Sequence, residues 1–209
     1  MLFGIFLFAV FGGLLAVIAR KALLHAGRPG MLGVLVGGYA LRLLLSSAVR
    51  EIPFFSHAAG GDSELYEAWA LLIARIWANS GIHFVTAEEL PLVGATALPP
   101  NLFALVFYVG GPEAHLGCVA IVAFAAALLC LNIYTLSLEL GATERNAFLL
   151  TTLLYFSPLV VFYTSDAYKD GLVACLVMGA LGSAIRLSRK FSVLHALLGL
   201  ASLAALWYV

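Results

Sequence analysis

Apolar stretches close to the length of a membrane span occur along most of this chain, and they limit its fold more than any other feature. An α-helix needs about 20 apolar residues to cross the hydrocarbon core of a bilayer. The 209 residues are 63% hydrophobic and 11% charged, whereas an ordinary soluble domain uses about a quarter charged residues. We therefore predict an all-α polytopic membrane protein with a single transmembrane domain over residues 1–209. Six spans are expected, at about 1–18, 31–49, 115–138, 146–163, 166–187 and 191–209.

Positive charge in two short links predicts the orientation, because Lys and Arg concentrate in cytoplasmic links. With those links inside, both termini are expected on the extracytoplasmic side of a multi-pass plasma (inner) membrane protein. The long interval 50–114 and the turn 164–170 then share the outer face. The basic residues are Arg20, Lys21 and Arg28 after the first span, and Arg186, Arg189 and Lys190 after the fifth.

The interval 50–114 is expected to be an outward loop with surface helices. Apolar residues recur along 62–80 with the spacing of one helical stripe, which predicts an amphipathic helix at the membrane surface. A second apolar piece, 101–109, is too short to span and is either a surface helix or a re-entrant segment.

Several function classes have no support in the sequence. The net charge is zero, so no nucleic-acid footprint is visible. The cysteines all fall inside apolar runs without metal-ligand spacing, which is typical of small core residues. No Gly-rich phosphate loop, zinc-protease pattern or serine-hydrolase elbow occurs. The cysteines are Cys118, Cys130 and Cys175.

The most acidic cluster of the chain follows a Gly-Gly pair at the start of the predicted surface helix. Asp62 and Glu64 lie within one turn of each other. Such a pair can share a divalent cation, Mg²⁺ or Mn²⁺, through oxygen ligands, or one carboxylate can take a proton from an acceptor hydroxyl. The alternative is that Asp62 caps the helix and Glu64 favours its dipole. Tyr66 and Trp69 are either sugar-stacking rings or interface anchors.

Other charges lie near or within the apolar spans. Lys169 and Asp170 are expected about one turn into the fifth span, where charge is costly. They either hold a lipid phosphate or form a snorkelling pair. Arg42, inside the second span, either counters an acid from another helix or reaches a phosphate. His57 lies near the acidic pair, where it can tune or ligate, although a lone loop histidine usually does neither.

Four short motifs follow one another along the chain: Gly61-Asp62-Ser63-Glu64-Leu65-Tyr66, Ser157-Pro158, Tyr163-Thr164-Ser165 and Lys169-Asp170. In this order they resemble the GT-C fold glycosyltransferases, which include protein O-mannosyltransferases and lipid A aminoarabinose transferases. The resemblance covers residues 31–209 and would make the chain an N-terminal part of the family's core. Asp62 and Glu64 resemble the family's modified Asp-x-Asp motif in the first outward loop.

The resemblance implies inverting transfer of a sugar from a polyprenyl-phosphate carrier to an acceptor hydroxyl, with Asp62 as general base. Asp62 and Glu64 would hold any divalent metal. Membrane lipids, the lipid-linked donor and a further membrane chain are the expected partners. Substrate contacts are expected from Glu64, Tyr66, Lys169, Asp170, Arg42 and Arg50.

Two other functions fit parts of the sequence. A non-catalytic membrane component, flippase-like or a transport subunit, agrees with the short length and with Arg42. A glycan polymerase or ligase would use the same lipid carriers, but such enzymes depend on outward arginines, and the interval offers only Arg50 and Arg75.

Overall fold

A computed structural model of the protein describes residues 2–24, 29–51 and 62–209, and the side chains of 29 and 47–51 fall outside that description. The described chain is all-helical. We number its helices α1 (Leu2–Leu23), α2 (Pro29–Glu51), α3 (Asp62–Ser80), α4 (Leu98–Gly110), α5 (His115–Glu139), α6 (Glu144–Tyr155), α7 (Pro158–Thr164), α8 (Asp170–Arg189) and α9 (Val193–Leu206), with a 3₁₀ turn at Pro91–Val93.

Helix α5 forms the centre of the fold. It packs against α1, α2, α4, α6, α7 and α8, and 67% of its most apolar 18-residue window is buried, against 22% for α1 and α8. Its core-facing positions include Gly117, Ala120, Ala123 and Ala127. Small side chains let neighbouring helices approach closely, as in membrane helix bundles.

The contacts between helices fix their relative directions. Helix α1 runs parallel to α5, because Gly4 lies against the start of α5 and Leu23 lines a cavity with Glu139 at its end. Helix α2 runs parallel to α6 and α7, with Gly30 beside Phe148 and later residues of α2 against the end of α7. Helix α8 follows the direction of α5, and α9 returns antiparallel to α8.

The structure does not show the six predicted spans as such. Among the described residues, three helices are long and apolar enough to cross a membrane, namely α1, α5 and α8. The protein is thus an all-helical chain with three candidate membrane spans.

The predicted span 146–163 is interrupted. Helix α6 ends at Tyr155 and α7 starts at Pro158, since proline has no N–H to donate and its ring clashes with a continuing helix. The Ser157 hydroxyl accepts from the Val160 N–H and caps α7. The single span predicted at 146–163 is therefore two helices with a full break before Pro158.

The start of α8 also differs from the prediction. The sequence predicts that Lys169 and Asp170 lie about one turn inside the fifth span. Instead residues 165–169 are non-helical, Lys169 occupies the N-cap position without a side-chain cap, and Asp170 is the first helical residue. The acidic side chain thus lies at the positive end of the helix dipole, where it costs little.

Helices α3 and α4 form an antiparallel hairpin, and the segment 81–97 between them is tied back to it. The Asn101 side chain accepts from Val85 N–H at 2.9 Å and donates to Val85 O at 2.8 Å and Ala97 O at 2.7 Å. Trp77 Nε1 donates to His83 O at 2.7 Å. The observed bounds of α3 match the predicted 62–80 helix, and α4 extends the predicted 101–109 piece at both ends.

The two ends of the bundle carry opposite charge. We call the end where α3, α5 and α8 begin the acidic end; its acids include Asp62, Glu67, Asp166 and Asp170. The opposite end, where α1, α5 and α8 finish, is the basic end. It carries Arg20, Lys21, Arg145, Arg186, Arg189 and Lys190.

Candidate functional site

Three segments that are far apart in sequence meet at the acidic end. They are the first turns of α3 and α5 and the link between α7 and α8. Ser63 Oγ donates to Asp166 Oδ2 at 3.1 Å across 103 residues of sequence. The sequence-based expectation that the 62–64 and 166–170 regions share one face is therefore consistent with direct contact between them.

A histidine and two carboxylates form the chemical centre of this region. His115 Nδ1 lies 2.5 Å from Glu67 Oε1, and His115 Nε2 lies 3.9 Å from Asp166 Oδ1. The side chains are 21%, 13% and 4% exposed for His115, Glu67 and Asp166 respectively. His115 Nε2 is buried and has no hydrogen-bond partner among the described residues. The carboxylate on Nδ1 fixes the ring orientation, and Nε2 is the ring nitrogen without a hydrogen bond.

The backbone around Asp166 holds its carboxylate in place. Its Oδ1 accepts from the Ala167 N–H at 2.8 Å, and its backbone carbonyl accepts from the Tyr168 N–H at 2.9 Å. Upstream, Ser165 Oγ donates to Val161 O. The short α7 helix and the turn after it therefore present Asp166 towards α3 and α5 in one orientation.

The same three residues satisfy the distance requirement for a metal site. One ligand atom from each of Glu67, His115 and Asp166 lies within 4.8 Å of the others. A mixed imidazole and carboxylate set suits Mn²⁺ or Zn²⁺, whereas Mg²⁺ prefers oxygen ligands alone. This group does not include Asp62 or Glu64, the pair to which the sequence analysis assigned a metal.

Asp62 and Glu64 are exposed residues of the first turn of α3. Asp62 is the first residue of α3, so the expected N-cap position falls on Gly61, outside the described residues along with His57. The structural alternative assigned the cap to Asp62 and the helix dipole to Glu64; in the structure both acids lie in the first turn, at the positive end of the dipole.

Tyr66 is buried, so its ring is not a free platform for a sugar. It packs edge-on against Trp69 with the ring centroids 5.6 Å apart. Burial raises the pKa of the Tyr66 phenol, and the nearby carboxylates of Asp62 and Asp170 raise it further. The phenol therefore stays neutral. It lies near both Asp62 and Asp170, two exposed acids that we call the rim of the site together with Glu64 and Lys169.

Arg42 is committed to contacts within the protein. It is fully buried; Nε donates to Thr164 Oγ1 at 2.6 Å, Nη1 to Gly38 O at 2.8 Å and Nη2 to Tyr155 O at 3.1 Å. Its guanidinium also lies 4.2 Å from the centroid of the Tyr155 ring. The partners of Arg42 are neutral acceptors and not the acid that the sequence analysis considered. A substrate phosphate would have to displace them, so the structure favours a structural role.

Three predicted substrate residues remain. Two of them lie on the rim of the site, and the side chain of the third is outside the described part of the chain. Lys169 is half-buried and Asp170 exposed, both directly after the Asp166 turn. Arg50 belongs to α2, but its side chain falls outside the described residues.

Sequence reasoning missed His115 and underused Glu67. Glu67 lies within the predicted surface helix 62–80, and His115 is the first residue of the predicted span 115–138, but neither was a candidate site residue. The available signal was position, because His115 is a titratable residue at the predicted outer end of an apolar helix. Its partner Glu67 lies 48 residues earlier, so no local pattern joins them.

No family model, curated protein or solved structure matches this chain.

Proposed function

We propose that this protein is a membrane glycosyltransferase that moves a sugar from a polyprenyl-phosphate carrier to an acceptor hydroxyl at the acidic end. The observation that carries the proposal is the Glu67–His115 pair beside Asp166, at the end of an apolar helical bundle. A lipid-linked donor cannot leave the bilayer, so its reacting group must be met at the end of such a bundle.

The proposed topology has six passes, with α1, α2, α5, the α6–α7 pair, α8 and α9 crossing in alternating directions. The distribution of charge supports the orientation, since the basic end carries the Lys and Arg excess of a cytoplasmic face. The acidic end, with both termini, would then be extracytoplasmic in the plasma (inner) membrane.

In the proposed reaction, His115 Nε2 takes the proton of the acceptor hydroxyl while Glu67 stabilises the imidazolium that forms. The acceptor oxygen bonds to the anomeric carbon from the face opposite the phosphate. The bond from that carbon to the phosphate oxygen breaks, its electron pair leaves with the polyprenyl phosphate, and the configuration inverts. General-base assistance of this kind contributes about 10²–10⁴-fold in rate.

We assign the base to His115 in preference to Asp62, because Asp62 is exposed and outside the central cluster. Asp62 and Glu64 then lie on the rim, where they can accept hydrogen bonds from sugar hydroxyls. Lys169 is the described cation nearest in sequence to the Asp166 turn, so it is our candidate for the leaving phosphate. Arg42 has no part in this assignment.

A divalent cation at Glu67, His115 and Asp166 is the alternative role for the same atoms. Such an ion would stabilise negative charge on the leaving phosphate. Because one imidazole nitrogen cannot both bind a cation and accept a proton, the two roles exclude each other. Activity that survives EDTA supports the base role, and activity restored only by Mn²⁺ or Zn²⁺ supports the metal role.

The test is release of polyprenyl phosphate by the purified protein from a panel of polyprenyl-phosphate sugars. His115→Gln should lower the rate by at least about 100-fold. His83→Gln is the matched control, since His83 also pairs with a carboxylate, Glu89, at 2.7 Å but in an exposed loop. Absence of release with every donor, or equal rates for His115→Gln and wild type, would refute the proposal.

A further inference from the structure

A cavity of about 650 Å³ opens at the basic end of the bundle, opposite the acidic end that holds the candidate site. It lies at the turn between α8 and α9, beside the end of α5. Its lining includes Glu139, Arg186, Arg189, Lys190, Ser192 and His195. Ligand sites commonly enclose about 300–1,000 Å³, so the space is sufficient for a charged headgroup.

The single acid in the lining is neutralised within the protein. Arg186 Nε donates to both carboxylate oxygens of Glu139, at 2.9 and 3.1 Å. The other nitrogens of Arg186 donate to Asn132 Oδ1 and Thr135 Oγ1, each at 3.0 Å. Arg186 and Glu139 therefore build the wall of the cavity and add no net charge to it.

Two further cations in the lining remain uncompensated. Arg189 Nη1 donates to the backbone carbonyl of Glu139 at 2.6 Å, which leaves its charge unpaired. The Lys190 ammonium and the His195 ring make no hydrogen bond or ion pair within the described part of the chain. The cavity thus carries an excess of about two positive charges at neutral pH, with a titratable ring beside them.

The first turn of α9 adds hydrogen-bond donors to the same space. Ser192 is the N-cap residue of this 14-residue helix, and its side chain makes no capping hydrogen bond. The first N–H groups of a helix have no acceptor within the helix, and they favour anions. The cationic side chains and these donors therefore lie at the same turn between α8 and α9.

An apolar surface continues directly from the cavity. Phe191 is 76% exposed, and Leu194 and Leu197 follow on α9 at 63% and 60%. Helix α9 packs mainly on α8, and these side chains remain uncovered among the described residues. A ligand with an anionic head and hydrocarbon tails would match both the cavity and this surface.

We propose that the α8–α9 cavity binds the headgroup of an anionic phospholipid, with its acyl chains along the exposed face of α9. Recognition rests on the phosphate, which Arg189 and Lys190 contact by charge-assisted hydrogen bonds. The proposal requires a membrane setting and does not depend on the glycosyltransferase reaction.

The experiment uses the full chain purified in neutral detergent. Binding of phosphatidylglycerol, phosphatidylcholine with the same acyl chains, and inorganic phosphate is measured by native mass spectrometry and by the shift in thermal unfolding midpoint. We expect phosphatidylglycerol to bind about tenfold or more tightly than phosphatidylcholine, since each basic residue near an anionic lipid contributes appreciably. Inorganic phosphate, which lacks the tails, should give little stabilisation.

Matched double variants separate this cavity from the general charge of the basic end. Arg189→Gln with Lys190→Gln should lose the preference for phosphatidylglycerol. Arg20→Gln with Lys21→Gln removes the same two residue types from exposed positions in the last turn of α1 and should keep it. Lys190→Gln alone changes an exposed side chain, so this variant should fold as the wild type does and still weaken the preference for phosphatidylglycerol.

Three results would overturn the proposal. Equal losses in the two double variants would show diffuse attraction to the surface. Equal binding of the two phospholipids would show that headgroup charge is not read. Stabilisation by inorganic phosphate as strong as that by phosphatidylglycerol would identify a free-anion site.

Discussion

Replacing Asn101 with Leu should release the segment 81–97 from the α3–α4 hairpin. The substitution keeps the number and branching of the side-chain heavy atoms but removes every hydrogen bond that the Asn101 amide makes. Val85 is fully buried, so its N–H and C=O both lose their partners, whereas Ala97 O still accepts from the Asn101 backbone N–H at 3.2 Å. A buried unsatisfied polar group costs about 1–3 kcal/mol, which gives about 2–6 kcal/mol for the two groups.

The segment can lower that cost by detaching locally, so the measurement must resolve both outcomes. Thermal unfolding reports the global loss, and hydrogen exchange at the Val85 amide reports local opening. Asn79→Leu is the control, because Asn79 makes one exposed bond to Arg75 O and its loss should stay within about 0.5 kcal/mol. If the two variants have equal unfolding midpoints and Val85 keeps its protection, the account of this clamp is wrong.

Two further predictions concern the His83–Glu89 pair in the segment 81–97 and the contact between α2 and α6. The hydrogen bond to Glu89 raises the pKa of His83 above its ordinary value. The pair therefore stabilises the 81–97 segment fully below about pH 6.5 and loses its contribution as pH rises through the raised pKa. A ¹H–¹⁵N titration should show a lower His83 pKa in Glu89→Gln, and an unchanged pKa would contradict the pairing. Gly38→Ala would place a methyl group into the Tyr155 ring and should cost about 1–3 kcal/mol in chemical denaturation, whereas Gly33→Ala in the same helix meets open space and should change little; equal effects would refute the close contact.

Patterns within one segment predicted much of the fold. The apolar stripe of 62–80 predicted α3 with its observed bounds, because a 3.6-residue period along one helix is written in consecutive residues. Proline acts on its own backbone, so Pro158 marks a disturbance of the helix in the sequence itself, but the full break between α6 and α7 was not predicted. The start of α8 was not visible, because the turn at 165–169 depends on contacts from other helices: Ser63 binds Asp166 within the turn, and Arg42 binds Thr164 directly before it.

The candidate site was predictable only in outline. The charge of the links placed the 62–64 and 166–170 regions on one face, which is a property of the whole topology. It did not select among the carboxylates there, because the choice depends on which side chains turn inward. Glu67 follows Asp62 by more than one helical turn and faces His115, while Asp62 and Glu64 face outward. That distinction needs the packing of α3 on α5.

The buried hydrogen bonds of Arg42 also have a consequence for biosynthesis. An arginine near the middle of an isolated membrane helix costs about 2.5–3.5 kcal/mol on insertion scales, and α2 is synthesised more than 100 residues before the acceptors that satisfy Nε and Nη2, at Thr164 and Tyr155. If α2 crosses the bilayer as proposed, it must wait at the translocon or the interface until α6 and α7 emerge. The later helices would then act as an internal chaperone for an earlier one, and a ribosome-stalled chain ending before Tyr155 should hold α2 less securely in the membrane than the full chain.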